Sequence, residues 1–361
     1  MDAAKRNKKD EFYTAYDDIQ KELIHYARHF KNKVIYCNCD DHNGIGLGTP
    51  KSNFLKYLAD NFQAFGIKKV IATHYVAGGR STMYILDQDN TGDGFICSED
   101  ISEIPMRGDG DFRSDECVKF LKSADIVITN PPFSLLREYI GQLIKHKKHF
   151  IIIGNINATT YKEFFPLIKN NKMWIGASIH SGDREFQVPD DYPLQAAGYR
   201  VDKDGNKFIR VKGVRWFTNL DYNARHEILD TGKRYYGFEY MYPRYINYDA
   251  INVDKTADIP MDYDGIIGVP ITFLDKYNPD QFEIVELGIV GSCNFINNKK
   301  MEILDKNGNP TGKFTFNAKG TLYRAYNPNN PKDKPAFKDV ETGELYSSIY
   351  ARILIRKKKG N

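Results

Sequence analysis

In AYDDIQKELIHYARHF (15–30) apolar residues recur at Ile19, Leu23, Tyr26 and Phe30. That spacing sets them on one face of a helix. The next stretch, KVIYCNCDD (33–41), is a short apolar run closed by two acids, the pattern of a buried strand. The two patterns then alternate. A helix is predicted in NFLKYLADNFQAFG, after the glycine-rich loop NGIGLGTPKS (43–52), and a strand in KKVIATHY (68–75). A helix in SDECVKFLKSA (114–124) precedes the strand DIVITN (125–130), and a helix in SLLREYIGQLIKH precedes the strand HFIIIGNIN (149–157). Strands alternating with helices build a mainly parallel sheet covered on both faces. The expected fold class is α/β, with a Rossmann-like doubly wound sheet.

Residues 76–110 interrupt that alternation with glycines and acids. The runs TMYILD and GDGFICS predict a hairpin insertion there. DQDNTGDGFICSE (87–99) looks superficially like a calcium loop, but its twelfth position is Ser98 and no helices flank it, so it reads as a turn. Beyond about residue 175 short β-like runs, glycines and tyrosines dominate, although KGVRWFTNL (212–220) could still extend the first sheet. The expected division is a first domain over 1–225 and a mixed α/β region over 226–361, from which strands could return to the first sheet.

Composition narrows the class. The chain has 361 residues, 41% hydrophobic and 27% charged, enough for a sizeable core in a globular protein. A net charge of +4 permits a nucleic-acid partner without demanding one. The five cysteines, Cys37, Cys39, Cys97, Cys117 and Cys293, are odd in number and follow no secretory signal, which suits a reduced, cytoplasmic setting. Cys37-Asn38-Cys39 has no second pair at zinc spacing, so no metal is expected. No apolar run approaches the roughly 20 residues of a membrane helix, and no membrane partner is expected.

In a doubly wound sheet, ligands bind beyond the carboxyl ends of the strands. Three groups fall there: Asp40 and Asp41 after the first strand, Asp111 and Phe112 before a helix, and Asn130-Pro131-Pro132-Phe133 after DIVIT. Two prolines stop a strand, donate no backbone hydrogen bond and hold the residue before them out of helical geometry. Asn130 is thus presented rigidly at a strand end. A carboxamide, two prolines and a ring in this order resemble the catalytic tetrapeptide of enzymes that methylate the exocyclic amine of a flat base. Such an amine is a poor nucleophile, because its lone pair is delocalised into the ring. The carbonyl of Asn130 and a backbone carbonyl of the proline pair can accept its two hydrogens, which frees the lone pair, while Phe133 stacks on the base. A base reaching this pocket must leave its duplex, at a cost of a few kcal/mol. Stacking returns about 1–3 kcal/mol.

Asn130–Phe133 at a strand end resembles the catalytic tetrapeptide of adenine-N6 DNA methyltransferases. DEFYT (10–14) and GDFRS (110–114) resemble their N-terminal cofactor motif and their acidic-aromatic motif, in the γ order. With YCNCDD, IIGNINATTYKEFFPLI and GVPITFLDKYNP, the chain is most similar to methylases of the EcoRI modification type, over most of residues 10–285 and the tail strand. The resemblance implies S-adenosyl-L-methionine as cofactor and double-stranded DNA as partner. It implies cofactor contacts from Phe12, Tyr13, Thr14, Cys37, Asn38, Asp40, Asp111, Phe112 and Asn130, with Asp111 accepting from the cofactor's adenine. YCNCDD departs from the glycine-rich signature of most methyltransferases, and the second strand ends in THY without an acid for the ribose, leaving Thr73, His74 or the insertion as substitutes. A cognate restriction endonuclease acting on the same site is compatible, with no complex required, and a monomer is the expected state. An RNA or protein amine methyltransferase, or a catalytically silent DNA-binding protein on the same fold, are the alternatives.

The later region is the expected DNA reader, because phosphates need cations and base edges need Arg, Asn or Gln. The candidates are Lys203, Lys207, Arg210, Lys212, Arg215, Arg225, Lys233, Arg234 and Arg244, with Arg356–Lys359 expected as a frayed basic end.

Overall fold

The computed structural model describes residues 12–41, 52–180, 182–188, 198–296, 299–316 and 318–358. The run 43–48 and the first two residues of DEFYT lie outside the described residues. The chain forms two compact units, residues 1–158 with 172–224, and residues 159–171 with 225–361. The segment Thr159–Asn171, inside the range expected for the first domain, thus belongs to the second unit.

The first unit begins with α1 (Tyr16–Leu23), which runs on through a 3-10 turn and a last helical turn to Phe30. Ile19, Leu23, Tyr26 and Phe30 are all fully buried, so the periodicity marked the core face. Fully burying a side chain of this size contributes about 1.5–3 kcal/mol. The elements β1 (Val34–Cys37), α2 (Asn53–Asp60), β2 (Lys69–Thr73), β3 (Thr82–Leu86) and β4 (Ser102–Pro105) follow. Next come α3 (Asp115–Ser123), β5 (Ile126–Thr129), α4 (Leu136–Lys145) and β6 (His149–Asn155). After α5 (Phe165–Lys169) of the second unit, the chain returns with β7 (Trp174–Ile175), β8 (Asp183–Val188), β9 (Arg200–Val201), β10 (Lys207–Lys212) and β11 (Val214–Thr218).

Eight strands form one sheet in the order β4-β3-β2-β1-β5-β6-β11-β7. The four central strands, β2-β1-β5-β6, are parallel. The chain goes from β1 to β2 on one side and later to β5 on the other, so the order reverses between β1 and β5. Both edges are antiparallel: β3 and β4 beyond β2, β11 and β7 beyond β6. The sheet is therefore mixed, and the run KGVRWFTNL does join it.

Two expectations are corrected here. The hairpin insertion exists, but its second strand is Ser102–Pro105 and not GDGFICS. In that stretch carboxylates take up the backbone amides that a strand would have offered to a ladder. Asp89 accepts from the amides of Gly92 and Gly94, and Asp100 from those of Asn90, Thr91 and Cys97. The strand expected over 33–41 stops at Cys37, because Asn38 and Cys39 form a turn.

A second, three-stranded sheet of the first unit, β8-β10-β9, is antiparallel. The turn that leads into it is held by Glu22 of α1. This fully buried carboxylate accepts from the amides of Ala177 and Ser178 at 2.8 and 2.7 Å and from the Tyr26 hydroxyl at 2.8 Å. A Cβ at Gly176 would lie 2.2 Å from Glu22 Oε1 and 2.5 Å from the Trp216 Cβ, so the turn requires glycine.

The second unit is largely β. Its strands are β12 (Ile251–Asn252), β13 (Ile267–Pro270), β14 (Phe282–Leu287), β15 (Met301–Leu304), β16 (Pro310–Thr315), β17 (Leu322–Ala325), β18 (Phe337–Asp339), β19 (Leu345–Ile349) and β20 (Arg352–Lys357). They form sheets in the orders β12-β13-β20-β14 and β16-β15-β18-β19-β17. Among the described residues its helix is confined to α5 and 3-10 turns. The basic tail is not frayed as far as Lys358. Arg356 pairs with Glu283 at 3.0 Å, Lys357 donates to the Met261 carbonyl, and β20 lies between β13 and β14 rather than returning to the first sheet.

Candidate active site

A cavity of about 420 Å³ opens beyond the carboxyl ends of the parallel strands. Its walls come from the residues after β1 (Asn38–Asp41), after β2 (His74, Tyr75) and after β5 (Asn130, Pro132). It therefore sits where the strand order reverses, the place where an open α/β sheet leaves a crevice.

Asn130 is held by its amide. Its Nδ2 donates to the Phe12 carbonyl at 2.6 Å and to Thr14 Oγ1 at 3.2 Å. A backbone carbonyl accepts only, so the group facing Phe12 must be the NH₂, and the side-chain orientation follows. The other atom, Oδ1, is buried and has no hydrogen-bond partner among the described residues. An unsatisfied buried acceptor costs about 1–3 kcal/mol, so the fold holds this oxygen ready for a donor that it does not itself supply. Thr14 is fixed in turn, because Asn53 Nδ2 donates to its carbonyl at 2.8 Å.

The prolines act as local rules require. Every residue of β5 is buried, the strand ends at Thr129, and the Pro132 carbonyl accepts from the Leu135 amide at 3.0 Å to open the turn into α4. Phe133 is half-buried and meets the edge of Phe12 with ring centroids 5.4 Å apart.

A family model described as adenine-specific methyltransferase EcoRI matches residues 1–358. The chain belongs to the EcoRI adenine-specific methyltransferase family. It is similar to the type II methyltransferase M.EcoRI of Escherichia coli, 47% identical over 322 residues, covering 83% of this chain and 96% of that protein. The type II methyltransferase M.MpnI of Mycoplasma pneumoniae is 40% identical over 286 residues, covering 78% of this chain and 84% of its own. M.MgeORF184P of Mycoplasma genitalium, also a type II methyltransferase, is 37% identical over 285 residues with the same coverage. No solved structure gives a significant match.

In this EcoRI-type methyltransferase most of the expected site residues do come together. Phe12, Tyr13, Thr14, Asn38, Asp40, Asp111, Phe112, Asn130 and Pro132 all line the cavity. Pro131, Phe133 and Cys37 do not. Cys37 is fully buried in the core beneath, where burial drives its thiol pKa well above the usual value, and Cys39 lines the cavity instead. Asn38 sits in the same turn. Its Oδ1 accepts from the Tyr139 hydroxyl of α4, and its Nδ2 is buried with no partner among the described residues.

Asp40, which lines the cavity, is also held by protein hydroxyls. It is buried, and its two oxygens accept from the Ser52 hydroxyl and the Thr129 hydroxyl, both at 2.7 Å. Ser52 simultaneously caps α2 by accepting from the Phe54 amide. Asp40 thus ties β1 to the start of α2 and to the last residue of β5, next to Asn130. Burial raises its pKa to about 7, against the pull of the two hydroxyls.

Of the residues expected to replace the missing acid of β2, Thr73 is fully buried and bonds the Tyr36 hydroxyl, whereas His74 lines the cavity. Its ring stacks on Tyr84 at 6.1 Å, and its Nδ1 lies 3.8 Å from Asp41 Oδ1. Burial lowers the His74 pKa, and the Asp41 charge opposes that shift.

At the far wall Asp111 is clamped by Arg113 through Nη2 at 2.6 Å and Nε at 2.9 Å. That bond raises the Arg113 pKa. Phe112 is buried edge-on against Tyr139 at 5.1 Å. Gly110 makes the approach possible: it has φ +78°, and a Cβ would fall 1.8 Å from the His74 carbonyl oxygen. Gly110, Asn53 and Tyr139 were not singled out from sequence. The GDGD run and the Ser-Asn helix start carried a local signal for the first two, and nothing local marked Tyr139.

The cations expected to read DNA divide. Lys203, Lys207, Arg210 and Lys212 lie on or beside β10, within the first unit, with Lys203, Arg210 and Lys212 exposed. Lys233, Arg234 and Arg244 are exposed in the second unit. Arg215 and Arg225 are internal. Arg215 lies on β11 and donates to the carbonyls of Val214 and His180, and Arg225 bonds the Asn171 side chain.

Proposed function

We propose that this adenine-specific methyltransferase uses S-adenosyl-L-methionine and methylates the N6 amine of an adenine turned out of double-stranded DNA. The observation that carries this reading is the buried, unpartnered Oδ1 of Asn130, whose amide is anchored at Phe12 and Thr14. An oxygen so fixed accepts one amine hydrogen in one geometry. The Pro132 carbonyl is engaged by Leu135, so the second acceptor falls to the Pro131 carbonyl. With both hydrogens held, the nitrogen lone pair is released from the ring and directed at the methyl group. Neither acceptor needs to be a strong base. Phe133 is the ring on which the extruded base stacks.

The residues present fit the cofactor. A cavity of about 420 Å³ lies within the usual range of ligand pockets. Asn38 Nδ2 is a buried donor aimed at no protein acceptor among the described residues, and it suits a hydroxyl or carboxylate oxygen. Phe12, Tyr13 and Thr14 form the wall for the methionine part, and Asp111 with Phe112 the wall for the adenine, with Asp111 as acceptor. When bound, the cofactor supplies an electrophilic methyl group on a sulfonium. Asp40, at the cavity wall with both oxygens on protein hydroxyls, acts in this reading as a strut for the site rather than as a cofactor ligand.

Phosphates are contacted by the exposed cations of β10 and of the second unit, and the second unit reads target bases. The enzyme works in the cytoplasm as a monomer, and protects DNA from an endonuclease cutting the same site without a lasting complex between them. The test is mass spectrometry of nucleosides from duplex DNA incubated with wild type and with Asn130→Ala. N6-methyladenine is expected from wild type. The variant should bind DNA and cofactor nearly normally, with kcat lowered at least about 100-fold, as for an interaction used mainly in the transition state. N4-methylcytosine, or label found in RNA or protein alone, overturns the proposal.

A further inference from the structure

The anchor of Asn130 is itself held by a strand that lies far away in sequence. Phe12, whose carbonyl takes the Asn130 amide, packs its ring on Phe186 of β8 at 5.5 Å and 31°. Tyr13 pairs with Gln187 of the same strand, its amide donating to the Gln187 carbonyl at 3.0 Å. Phe133 closes the row on the other side of Phe12. Phe186 is 2% exposed and does not line the cavity.

The segment at Phe12 belongs to no helix and no multi-residue ladder, so the positions of its carbonyl and ring are set by what packs on them. On one side stands the tetrapeptide that it serves. On the other stands β8, stiffened by six register pairs with β10 and led in by the turn that Glu22 clamps. We infer that Phe186 is a positioning residue for methyl transfer: through Phe12 it sets the direction of the Asn130 carboxamide, and the β8–β10 hairpin is thereby part of the catalytic apparatus. The inference rests on the role proposed for Asn130. It adds that the carboxamide is aimed by tertiary packing as well as by the two prolines.

The test uses Phe186→Leu, which keeps an apolar side chain and removes the flat ring. A small displacement of a reacting group costs up to about 100-fold in rate. The expected result is kcat lowered at least about tenfold at saturating DNA and cofactor, with both KM values within about threefold of wild type and a similar melting temperature. In a Phe12→Leu background, Phe186→Leu should add less than about threefold, because both changes act through one contact. The side-chain amide resonance of Asn130, assigned by its loss in Asn130→Ala, should shift in Phe186→Leu. That last readout needs no turnover, so it separates the packing inference from the proposed reaction. A wild type that makes no N6-methyladenine defeats the reaction and leaves the amide shift to judge the packing. Wild-type kcat in Phe186→Leu, additive losses in the double variant, or an unmoved Asn130 amide each overturn the inference.

Discussion

Asp40 offers the sharpest separation between a ligand and a strut. If it holds Ser52 and Thr129, Asp40→Ala leaves two buried hydroxyls without their acceptor. At about 1–3 kcal/mol for each unsatisfied group, the loss of stability should be roughly 2–6 kcal/mol. Asp40→Asn keeps the shape: its carbonyl accepts from one hydroxyl and its NH₂ donates to the oxygen of the other, so it should cost less than about 1.5 kcal/mol. The pH dependence is a second handle. Burial raises the Asp40 pKa from 3.8 to about 7, so between those values the folded chain holds a proton that the unfolded chain has released. The stability from this group is therefore complete below about pH 4 and is lost as pH rises through 7. At about 1.36 kcal/mol per tenfold change in proton affinity, the whole loss is on the order of 4 kcal/mol as an upper bound. Asparagine has no proton to lose, so its stability relative to wild type should improve by up to about 2.7 kcal/mol from pH 5 to pH 8, since about two of those pH units fall between pH 5 and pH 7. Urea unfolding at the two pH values measures this, and calorimetry measures cofactor affinity alongside. A variant that tracks the wild-type pH dependence refutes the buried, elevated pKa. A tenfold or larger loss of cofactor affinity in Asp40→Asn at unchanged stability makes Asp40 a cofactor ligand after all.

Phe133→Ala should lower the fluorescence gained when 2-aminopurine at the target position meets the enzyme, with cofactor affinity little changed; an unaltered signal removes Phe133 from base stacking. Arg210→Ala, if Arg210 meets a phosphate, should flatten the slope of log affinity against log salt by about one and weaken binding to all sequences alike, and an unchanged slope takes Arg210 off the backbone. Glu22→Ala leaves the Ala177 and Ser178 amides and the Tyr26 hydroxyl without their acceptor and should cost about 2–6 kcal/mol in urea unfolding from the two amides alone; a loss under about 1 kcal/mol means that the turn is held some other way.

Local patterns settled much of this protein. The 3.6-residue period of Ile19, Leu23, Tyr26 and Phe30 marked a core face, because an isolated helix already knows which residues share a side. The run ADIVITNPPF located the end of β5 and the rigid Asn130, because proline constrains its neighbours by covalent geometry alone. The strand–helix alternation gave the parallel centre of the sheet and put the site at its carboxyl edge. What these rules omit are pairings between distant segments. They could not say that Cys37 turns into the core and Cys39 to the cavity, since this depends on where β1 stops. They marked Asp40 as a carboxylate at a strand end but could not show that hydroxyls 12 and 89 residues away take up both its oxygens. Arg215 read as a surface cation until β11 took it into the sheet. The direction of the Asn130 carboxamide depends on a carbonyl 118 residues earlier in the chain, which itself rests on a strand that forms much later. Such contacts form when the chain closes on itself and its buried polar groups must find partners, and that choice belongs to the tertiary structure.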